Sequence, residues 1–557
     1  MNNCADTTDK IPSGQLKNGL LRQLLQSPFR FWSVGIVVAE AAAAVLFWRG
    51  PVCQRNLIDA LERGDSRAAF AALALLALLL AGGGAGRGLA VFCRGRLAVS
   101  FRQYLKKVLF RHLLALPEDF LRSRGAGYFF NRLEHDISES VNCVHGGGLS
   151  FFPEILRLFL ALGTVAAWCP SWLPVIVIFL LLQLLMTGLF RRRQYDLAGE
   201  LQEHIAQERQ LMQDFLSRHR TVKTTNAAQT AQRQLDNQLS LYGQLMRRKL
   251  GNEGWFRLCS PFPAYCGLAV LAAQGLTPVL EHQMTLGKLW SLLLLSHMSF
   301  APVRNLARML IQTQTANSAW HRLLELYRHP AEPQDSTAER VSLYGDIEFR
   351  QVDFSYLPEH PVLRKFDLTV KAGSGVFIIG NNGSGKSTLL SLLLRLYPVS
   401  GGQILVNDTA VENYPLTAYR EQIGYIGQHP EFRLGTLRDN LTWGHPVDDE
   451  QIFAVFRRLN CESWVRRLGL DYPVSENGDN FSGGERLRLV LARELLRQTP
   501  ILLCDEAAAH LDPGGREDFY RLLGCLAGEK TVLAVVQQLP PEPHWPVCEL
   551  QKLPPDR

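Results

Sequence analysis

A glycine-rich loop between two apolar runs constrains the fold of this 557-residue chain more than any other feature. The apolar run 375–379 precedes the loop and the run 389–394 follows it, which is the context of a buried strand and a helix. The loop has the pattern G-x-x-x-x-G-K-[ST], in the residues Gly380, Asn381, Asn382, Gly383, Ser384, Gly385, Lys386, Ser387 and Thr388. Backbone N–H groups of such a loop and the helix N-terminus bind phosphate oxygens. We therefore predict a nucleotide-phosphate site, in which Lys386 reaches the β- and γ-phosphates and Ser387 binds Mg²⁺.

Further motifs follow downstream in a fixed order, which a chance glycine turn does not explain. They are Gln428 after a short apolar run, the segment Ser482, Gly483 and Gly484, the apolar run 501–504 ending in Asp505 and Glu506, and finally Asp512. In this order the motifs resemble those of the ABC ATPase family, and the resemblance spans about residues 345–545.

The resemblance implies that the cofactors are ATP and Mg²⁺ and assigns a role to each acidic residue. Asp505 corresponds to the carboxylate that holds Mg²⁺ through water, with Ser387 and Gln428 as further ligands. Glu506 corresponds to the base that polarises the attacking water, and Lys386, Gln428 and Gln537 complete the catalytic set. Ser482, Gly483 and Gly484 correspond to the signature loop, and Asp512 joins them as a nucleotide-binding residue.

Two positions depart from a simple reading of the ATPase motifs. Alternation along 352–356 alone would place Tyr356 in the core, whereas the family resemblance implies that Tyr356 stacks on adenine. Gln537 stands where the family normally has a switch histidine, after the apolar run 531–536. A glutamine amide donates a hydrogen bond but cannot become cationic, so we predict that this site turns over slowly.

The first half of the chain contains long apolar runs that predict membrane-spanning helices. Hydrophobic residues make up 47% of the chain and charged residues only 20%, and the apolar content is concentrated before residue 325. Each run is about long enough to cross the roughly 30 Å hydrocarbon layer. We predict six spans, at 31–53, 68–93, 149–169, 171–190, 255–280 and 289–311, of which the proline-interrupted fifth is the weakest.

Basic residues between these runs predict the orientation in the membrane. The stretch 94–148 carries nine Lys and Arg and the stretch 191–254 carries eleven, whereas 168–172 carries none. The positive-inside rule places both basic stretches in the cytoplasm together with the ATPase. The net charge of +7 is therefore interpreted as membrane topology, and no nucleic-acid partner is expected.

The membrane portion resembles the six-helix ABC exporter, with segments near 116–133 and 217–225 similar to its coupling segments. The expected fold is an α-helical membrane domain of six transmembrane helices followed by an α/β P-loop ABC ATPase domain. The predicted boundaries are a tail and elbow helix at 1–30, the membrane domain at 31–328, a proline-containing linker at 329–344 and the ATPase at 345–557. Within the membrane, Glu40 is a candidate for a substrate cavity, and Glu154 with Arg157 for an i,i+3 pair at the interface.

These features favour a half-transporter that exports or flips a cargo with ATP as the energy source. A second half-transporter is then required as partner, and Gln537 favours a heterodimer over a homodimer. The cargo remains open among small molecule, peptide and lipid, and the expected location is a bacterial inner membrane with both termini in the cytoplasm. The alternative is a regulatory or channel-like protein gated by ATP, against which Glu506 argues because a gate needs no general base.

The predicted topology is testable with single cysteines in a Cys-free background. Cysteines at Gln103 and Gln234 lie in the basic stretches, so we expect them to be protected from a membrane-impermeant thiol reagent in intact cells. A cysteine at Ser171 should react. The opposite labelling pattern would overturn both the orientation and the exporter interpretation.

Overall fold

The computed structural model describes Leu20, Leu24 and residues 29–145, 148–333, 341–357, 359–509, 511–526, 528–540 and 542–551. Most of the predicted elbow helix lies outside the described residues. The chain forms two compact units, one of Met1–Arg111 with Gly127–His329 and one of His112–Ala126 with Pro330–Arg557. The segment 112–126 thus belongs with the ATPase portion, which the sequence alone did not suggest.

Helices make up the described chain up to residue 328. They are α1 (Arg30–Glu62), α2 (Ser66–Leu114), α3 (Glu118–Arg124), α4 (Ala126–Asn131), α5 (Ile137–His145), α6 (Phe151–Trp168), α7 (Leu173–Ser217), α8 (His219–Thr224), α9 (Ala228–Cys259), α10 (Phe262–Leu280) and α11 (Leu286–Arg328). A π-helical turn, Arg132–Asp136, joins α4 to α5, and two 3₁₀ turns, Gly148–Ser150 and Pro170–Trp172, flank α6. Helices α2 and α7 run far beyond the predicted spans, so each apolar span continues directly into a polar helix.

In the described part of the chain, five helical stretches are long and apolar enough to cross a membrane. They are Arg30–Glu62, Ser66–Leu114, Phe151–Trp168, Pro170–Phe190 and Ala228–Leu280, and they contain or closely match the first five predicted spans. The sixth predicted span lies inside the 43-residue α11. Polar residues of α11, among them His297, Asn305 and Arg308, interrupt its apolar stretch, so the sixth crossing stays a prediction.

Large apolar side chains on these helices are exposed at the protein surface. Phe70, Leu78 and Phe92 of α2 are all more than half exposed. A helix satisfies its own backbone hydrogen bonds, so its apolar side chains can face hydrocarbon without cost. The apolar exposure is therefore the expected surface of a lipid-embedded bundle.

Buried charges in the helical unit are compensated by ion pairs. Glu40 of α1 accepts from Arg94 of α2 at 2.8 Å. The fully buried Asp136 accepts from Arg132 Nη1 at 2.8 Å and from Arg322 Nε at 3.2 Å. The pairing of Asp136 ties the π-helical turn to α11.

The described residues of the second unit form three sheets. Its strands are β1 (Ile347–Leu357), β2 (His360–Val370), β3 (Gly375–Gly380), β4 (Gly401–Val406), β5 (Thr409–Ala410), β6 (Ile423–Ile426), β7 (Gly435–Thr436), β8 (Pro473–Val474), β9 (Ile501–Asp505), β10 (Thr531–Val535) and β11 (Val547–Leu550). Its helices are α12 (Lys386–Leu393), α13 (Leu416–Glu421), α14 (Leu437–Thr442), α15 (Asp449–Arg458), α16 (Glu462–Leu468), α17 (Gly483–Leu496) and α18 (Pro513–Gly524). The sheet orders are β2-β1-β4-β5, β11-β3-β10-β9-β6 and β7-β8.

The five-stranded sheet is parallel and forms the centre of the unit. Every residue of β9 and β10 is buried, which explains their near-continuous apolar sequences. Because the strands are parallel, the carboxyl ends of β3, β6, β9 and β10 lie along one edge. Functional side chains that follow these strands are therefore brought together.

The linker after α11 is anchored to the ATPase portion at Glu332. Its carboxylate accepts two hydrogen bonds from Arg420, at 2.6 and 2.9 Å, and its backbone N–H donates to Ala115 O at 2.7 Å. Such a bidentate pair fixes geometry as well as charge.

Asp136→Asn should destabilise the helical unit, because it leaves two guanidinium groups without their counter-charge. Removing one partner of a buried pair costs about 3–5 kcal/mol, and the partial exposure of Arg322 lowers that figure. The measurement is the melting temperature of the purified protein in detergent. Asp214→Asn is the control, because its pair with Arg218 is exposed; equal melting temperatures for the two variants would contradict the argument.

Candidate nucleotide-binding site

The glycine-rich loop connects β3 to α12, as its sequence predicts. Gly383 and Gly385 adopt left-handed backbone angles, with φ of 80° and 95°. A Cβ at Gly385 would also lie 2.8 Å from Val362 Cγ1, so only glycine fits there. Ser384 is buried in this loop, and its Oγ has no hydrogen-bond partner among the described residues. An unpaired buried hydroxyl is costly, and a phosphate oxygen would satisfy it.

Lys386 is buried beneath the loop, with only 6% of its surface exposed. Its Nζ donates to Gly380 O at 2.9 Å and to Asn381 O at 3.3 Å, and it lies 3.5 Å from Glu506 Oε1. The ammonium group is thus held against the two acceptors that begin the loop and one carboxylate. Phosphate oxygens are stronger acceptors than these carbonyl groups. Lys386 is therefore placed to exchange its two carbonyl acceptors for the phosphate oxygens of a nucleotide.

Asp505 lies at the carboxyl end of β9 and pairs with the hydroxyl that the sequence assigned to Mg²⁺. Ser387 Oγ donates to Asp505 Oδ1 at 2.9 Å, and Tyr425 Oη lies 3.5 Å from Oδ2. Burial raises the pKa of the Asp505 carboxyl, the Ser387 hydroxyl opposes that shift, and the charge of Glu506 adds to it. Burial beside Asp505 also raises the pKa of the Tyr425 hydroxyl.

The pair of oxygen donors at Ser387 and Asp505 fits Mg²⁺, which prefers oxygen ligands and retains several waters. Within the described part of the chain, no group of three or more His, Cys, Asp or Glu side chains could hold a metal ion. An ion at this position would therefore take its remaining ligands from phosphate and water.

Glu506 follows Asp505 with a left-handed φ of 48°, which a non-glycine residue seldom adopts. Two amides donate to the same oxygen of its carboxylate: Gln537 Nε2 lies 2.6 Å from Oε2 and Gln428 Nε2 lies 3.3 Å from it. The other oxygen faces Lys386. The structure therefore brings together Lys386, Gln428, Glu506 and Gln537, and it places the Gln428 amide at Glu506 rather than at Ser387.

Tyr356 is 47% exposed and so does not occupy the core position that strand alternation allowed. Its hydroxyl lies 3.1 Å from Thr388 Oγ1, next to the loop, and its ring packs edge-on against Phe354 and Tyr397. Arg122 of α3 hydrogen-bonds to the Tyr397 hydroxyl, which raises the pKa of the guanidinium. The resulting aromatic cluster stands beside the phosphate loop.

The signature segment starts α17 and is built by a capping box. Ser482 Oγ accepts from the Glu485 N–H at 3.4 Å, and Glu485 Oε2 accepts from the Ser482 N–H at 2.7 Å. Ser482, Gly483, Gly484 and Asp512 line one cleft of about 460 Å³. No phosphate-loop residue is among the described residues that line this cleft. The structure thus separates the predicted binding residues into two sets on one chain.

Tyr425 and Arg516 are polar residues near the site that sequence reasoning missed. Arg516 donates to Gln538 Oε1 at 2.8 Å and to Leu511 O at 3.3 Å, which links the segment before α18 to the residue after Gln537. The parallel strand order would have placed Tyr425 near Asp505, since β6 ends beside β9. No sequence signal pointed to Arg516.

Comparison with known proteins decides the family. The family model "ABC transporter transmembrane region" matches residues 34–303, and the model "ABC transporter" matches residues 363–509. The chain belongs to the ABC transporter family. One transmembrane region and one ATPase domain in a single chain make it a half-transporter of the exporter type, and it is a multi-pass membrane protein that couples ATP hydrolysis to transport.

Similar proteins cover nearly the whole chain. An "ATP-dependent lipid A-core flippase" of Chromohalobacter salexigens is 26% identical, over 93% of this chain and 91% of that protein. A "Multidrug resistance ABC transporter ATP-binding and permease protein" of Lactococcus lactis is also 26% identical, over 92% of this chain and 87% of that protein. The solved "Structure of a bacterial Atm1-family ABC exporter with ATP bound" aligns with a TM-score of 0.77 at 20% identity, over 94% and 92% of the two chains. That likeness confirms the fold of a helical membrane region followed by an ABC ATPase domain.

Glu506→Gln should abolish steady-state ATP hydrolysis while nucleotide binding persists. The substitution keeps the size of the side chain but removes its ability to take a proton. General-base catalysis typically contributes about 10²–10⁴ in rate. The measurements are phosphate release and retention of labelled ATP by the purified protein. Glu517→Gln, at an exposed pair with Arg521, is the control that should behave like wild type. Full turnover by the Glu506→Gln protein would show that another group is the base.

Proposed function

We propose that this chain is one half of a dimeric exporter whose two ATP sites form between two ATPase domains. The observation that carries the proposal is the hydrolytic set at the edge of the parallel sheet, where Lys386, Ser387, Asp505 and Glu506 lie in contact. The second half of each site would come from Ser482, Gly483 and Gly484 of the other half-transporter. The separate cleft formed by the signature segment and Asp512 supports this division.

Each residue of the phosphate loop has a role in ATP binding under this proposal. The backbone N–H groups of 380–388 and the Ser384 hydroxyl bind phosphate oxygens, and Lys386 bridges the β- and γ-phosphates. Tyr356 presents its exposed ring to adenine. Ser482 uses its oxygen lone pair in the capping box, so its O–H remains able to donate to a γ-phosphate.

Ser387, Asp505 and Gln428 form the proposed Mg²⁺ site, with Asp505 acting through water. Bound Mg²⁺ would neutralise charge that develops on the phosphates. Glu506 accepts a proton from water as the water oxygen bonds to the γ-phosphorus and the bond to the β–γ bridging oxygen breaks. The two amides on Oε2 fix the orientation of this base.

Binding of two ATP would close the dimer and switch the membrane helices from inward- to outward-facing, and hydrolysis would reset them. Nucleotide drives such a cycle only through its different affinity for the two states. An ATP-gated channel would also need closure, but it would not need Glu506 and the two residues that hold it. Export therefore accounts for more of the site than gating does.

The names of the relatives bear on the cargo and on the membrane. Relatives of equal identity are named a lipid A-core flippase and a multidrug transporter, so their names do not choose between lipid and small molecule. Bacterial relatives support an inner-membrane location with the ATPase in the cytoplasm, as the basic stretches predict.

Gln537 is proposed to make the site on this chain's own phosphate loop slow. Its short hydrogen bond to Glu506 shows that the amide can hold the base. A glutamine in this role cannot supply the positive charge that a histidine offers to the developing phosphate charge. In a heterodimer this site would retain ATP while the partner supplies most turnover, and the replacement favours that arrangement over a homodimer.

Gln537→His should therefore raise the single-turnover rate of hydrolysis at this site. One well-placed transition-state donor is worth up to about 10²–10³ in rate. Gln538→His is the matched control, because that neighbouring amide bonds to Arg516 rather than to Glu506. If the Gln537→His rate is unchanged, and wild type already turns over briskly alone, glutamine suffices and the asymmetry proposal fails.

A further inference from the structure

A cavity of about 380 Å³ lies inside the helical unit, among α1, α2, α6 and α11. This volume is within the usual range of small-molecule sites. Its apolar lining includes Phe47, Trp48 and Met298, and its polar lining includes Arg87, Glu154 and Arg157. All of these residues fall within predicted spans, so the charged groups lie at the depth of the membrane.

Glu154 and Arg157 neutralise each other within the cavity. Glu154 is 5% exposed, and its Oε1 accepts from Arg157 Nη1 at 2.6 Å and from Asn305 Nδ2 at 3.2 Å. The i,i+3 pair that the sequence predicted is therefore present, but it lines a cavity. Glu154 Oε2 is buried and has no hydrogen-bond partner among the described residues. One acceptor of this carboxylate is thus left for a donor from outside the described residues.

Arg87 is a cavity cation that forms no direct ion pair among the described residues. Its guanidinium lies 4.2 Å from the centre of the Phe47 ring, and no described carboxylate lies within ion-pair distance of it. The nearby Glu40, which the sequence made a cavity candidate, does not line this cavity and is paired with Arg94 instead. With Glu154 and Arg157 cancelling, Arg87 leaves the cavity one positive charge in excess.

An unpaired arginine at membrane depth is costly, and such residues usually meet a partner on a substrate path. Contact with an aromatic face repays only part of the lost hydration. The planar guanidinium fits the two oxygens of a phosphate group in a bidentate way. The apolar surface at Phe47, Trp48 and Met298 suits hydrocarbon attached to that group.

We propose that this cavity binds the phosphate group of an amphiphile through Arg87, with its apolar portion against α1 and α11. A hydroxyl of the same head group would donate to the unpaired Glu154 Oε2. The inference rests on the proposed export function, because it names the chemical class of the cargo. The shared chemistry of phosphate could also come from free phosphate, which the experiment separates.

The test is direct binding to purified full-length protein in detergent, without ATP. The probes are lysophosphatidic acid, lysophosphatidylcholine with the same acyl chain, and inorganic phosphate. Wild type should prefer lysophosphatidic acid, and Arg87→Gln should weaken that binding at least about tenfold, since hydrogen bonds to charged groups carry that much free energy. Arg87→Lys keeps the positive charge but loses the bidentate geometry of the guanidinium. Its affinity for lysophosphatidic acid should lie between those of wild type and Arg87→Gln.

Arg96→Gln is the matched control. Arg96 is on the same helix and also lies over an aromatic ring, Phe92, at 5.3 Å, but it does not line the cavity. The Arg96→Gln protein should bind as wild type does, and a single, unchanged elution peak in size-exclusion chromatography shows which variants fold. If Arg87→Gln does not fold, Arg87→Lys carries the test.

Equal affinity of Arg87→Gln and Arg96→Gln for lysophosphatidic acid overturns the proposal, as does equal affinity of wild type for the two lysolipids. Inorganic phosphate that competes as well as lysophosphatidic acid overturns the amphiphile assignment. Arg87-dependent binding that neither stimulates ATPase activity nor leads to transport in proteoliposomes supports the site and counts against the export function. Failure of the phosphate site and failure of the export function therefore give different results.

Discussion

Parallel pairing of β3, β10, β9 and β6 is the constraint on which the nucleotide site depends. It places the ends of four strands, far apart in the sequence, along one edge of a sheet. Lys386 after β3, Asp505 and Glu506 at the end of β9 and Gln537 after β10 meet there. The apolar interiors of these strands need burial on both faces, and polar residues are tolerated only where the strands end. The chemistry is thus confined to the edge by the same pattern that forms the core.

The second feature on which the site depends is that Lys386 and Glu506 already have partners within the protein, which a nucleotide would have to displace. Each group is satisfied within the protein: the ammonium by two carbonyl groups and a carboxylate, and the carboxylate by two amides and the ammonium. A nucleotide must replace some of these bonds with stronger, charged ones. Such an exchange preserves the geometry of the site in both states, because no buried charge is left alone at any stage.

Buried carboxylates of the helical unit follow the same rule. Glu40 is matched by Arg94, Asp136 by Arg132 and Arg322, and Glu154 by Arg157. Arg87, which lines the cavity, forms no ion pair with a carboxylate among the described residues. Its guanidinium lies over the Phe47 ring instead, which leaves its hydrogen-bond donors for a ligand of the cavity.

The sequence by itself determined the elements that depend on local patterns: the phosphate loop, the apolar strand before Asp505 and the first five spans. These follow from short-range rules of backbone conformation and from long runs of one polarity. It did not determine which side chains meet. The amides of Gln428 and Gln537 on one oxygen of Glu506, the hydroxyl of Tyr425 near Asp505, the pairing of Glu40 with Arg94 and the cavity around Arg87 involve residues tens to hundreds of positions apart. Only the packing of strands and helices decides such contacts, because side-chain direction depends on register and rotation that no local pattern fixes.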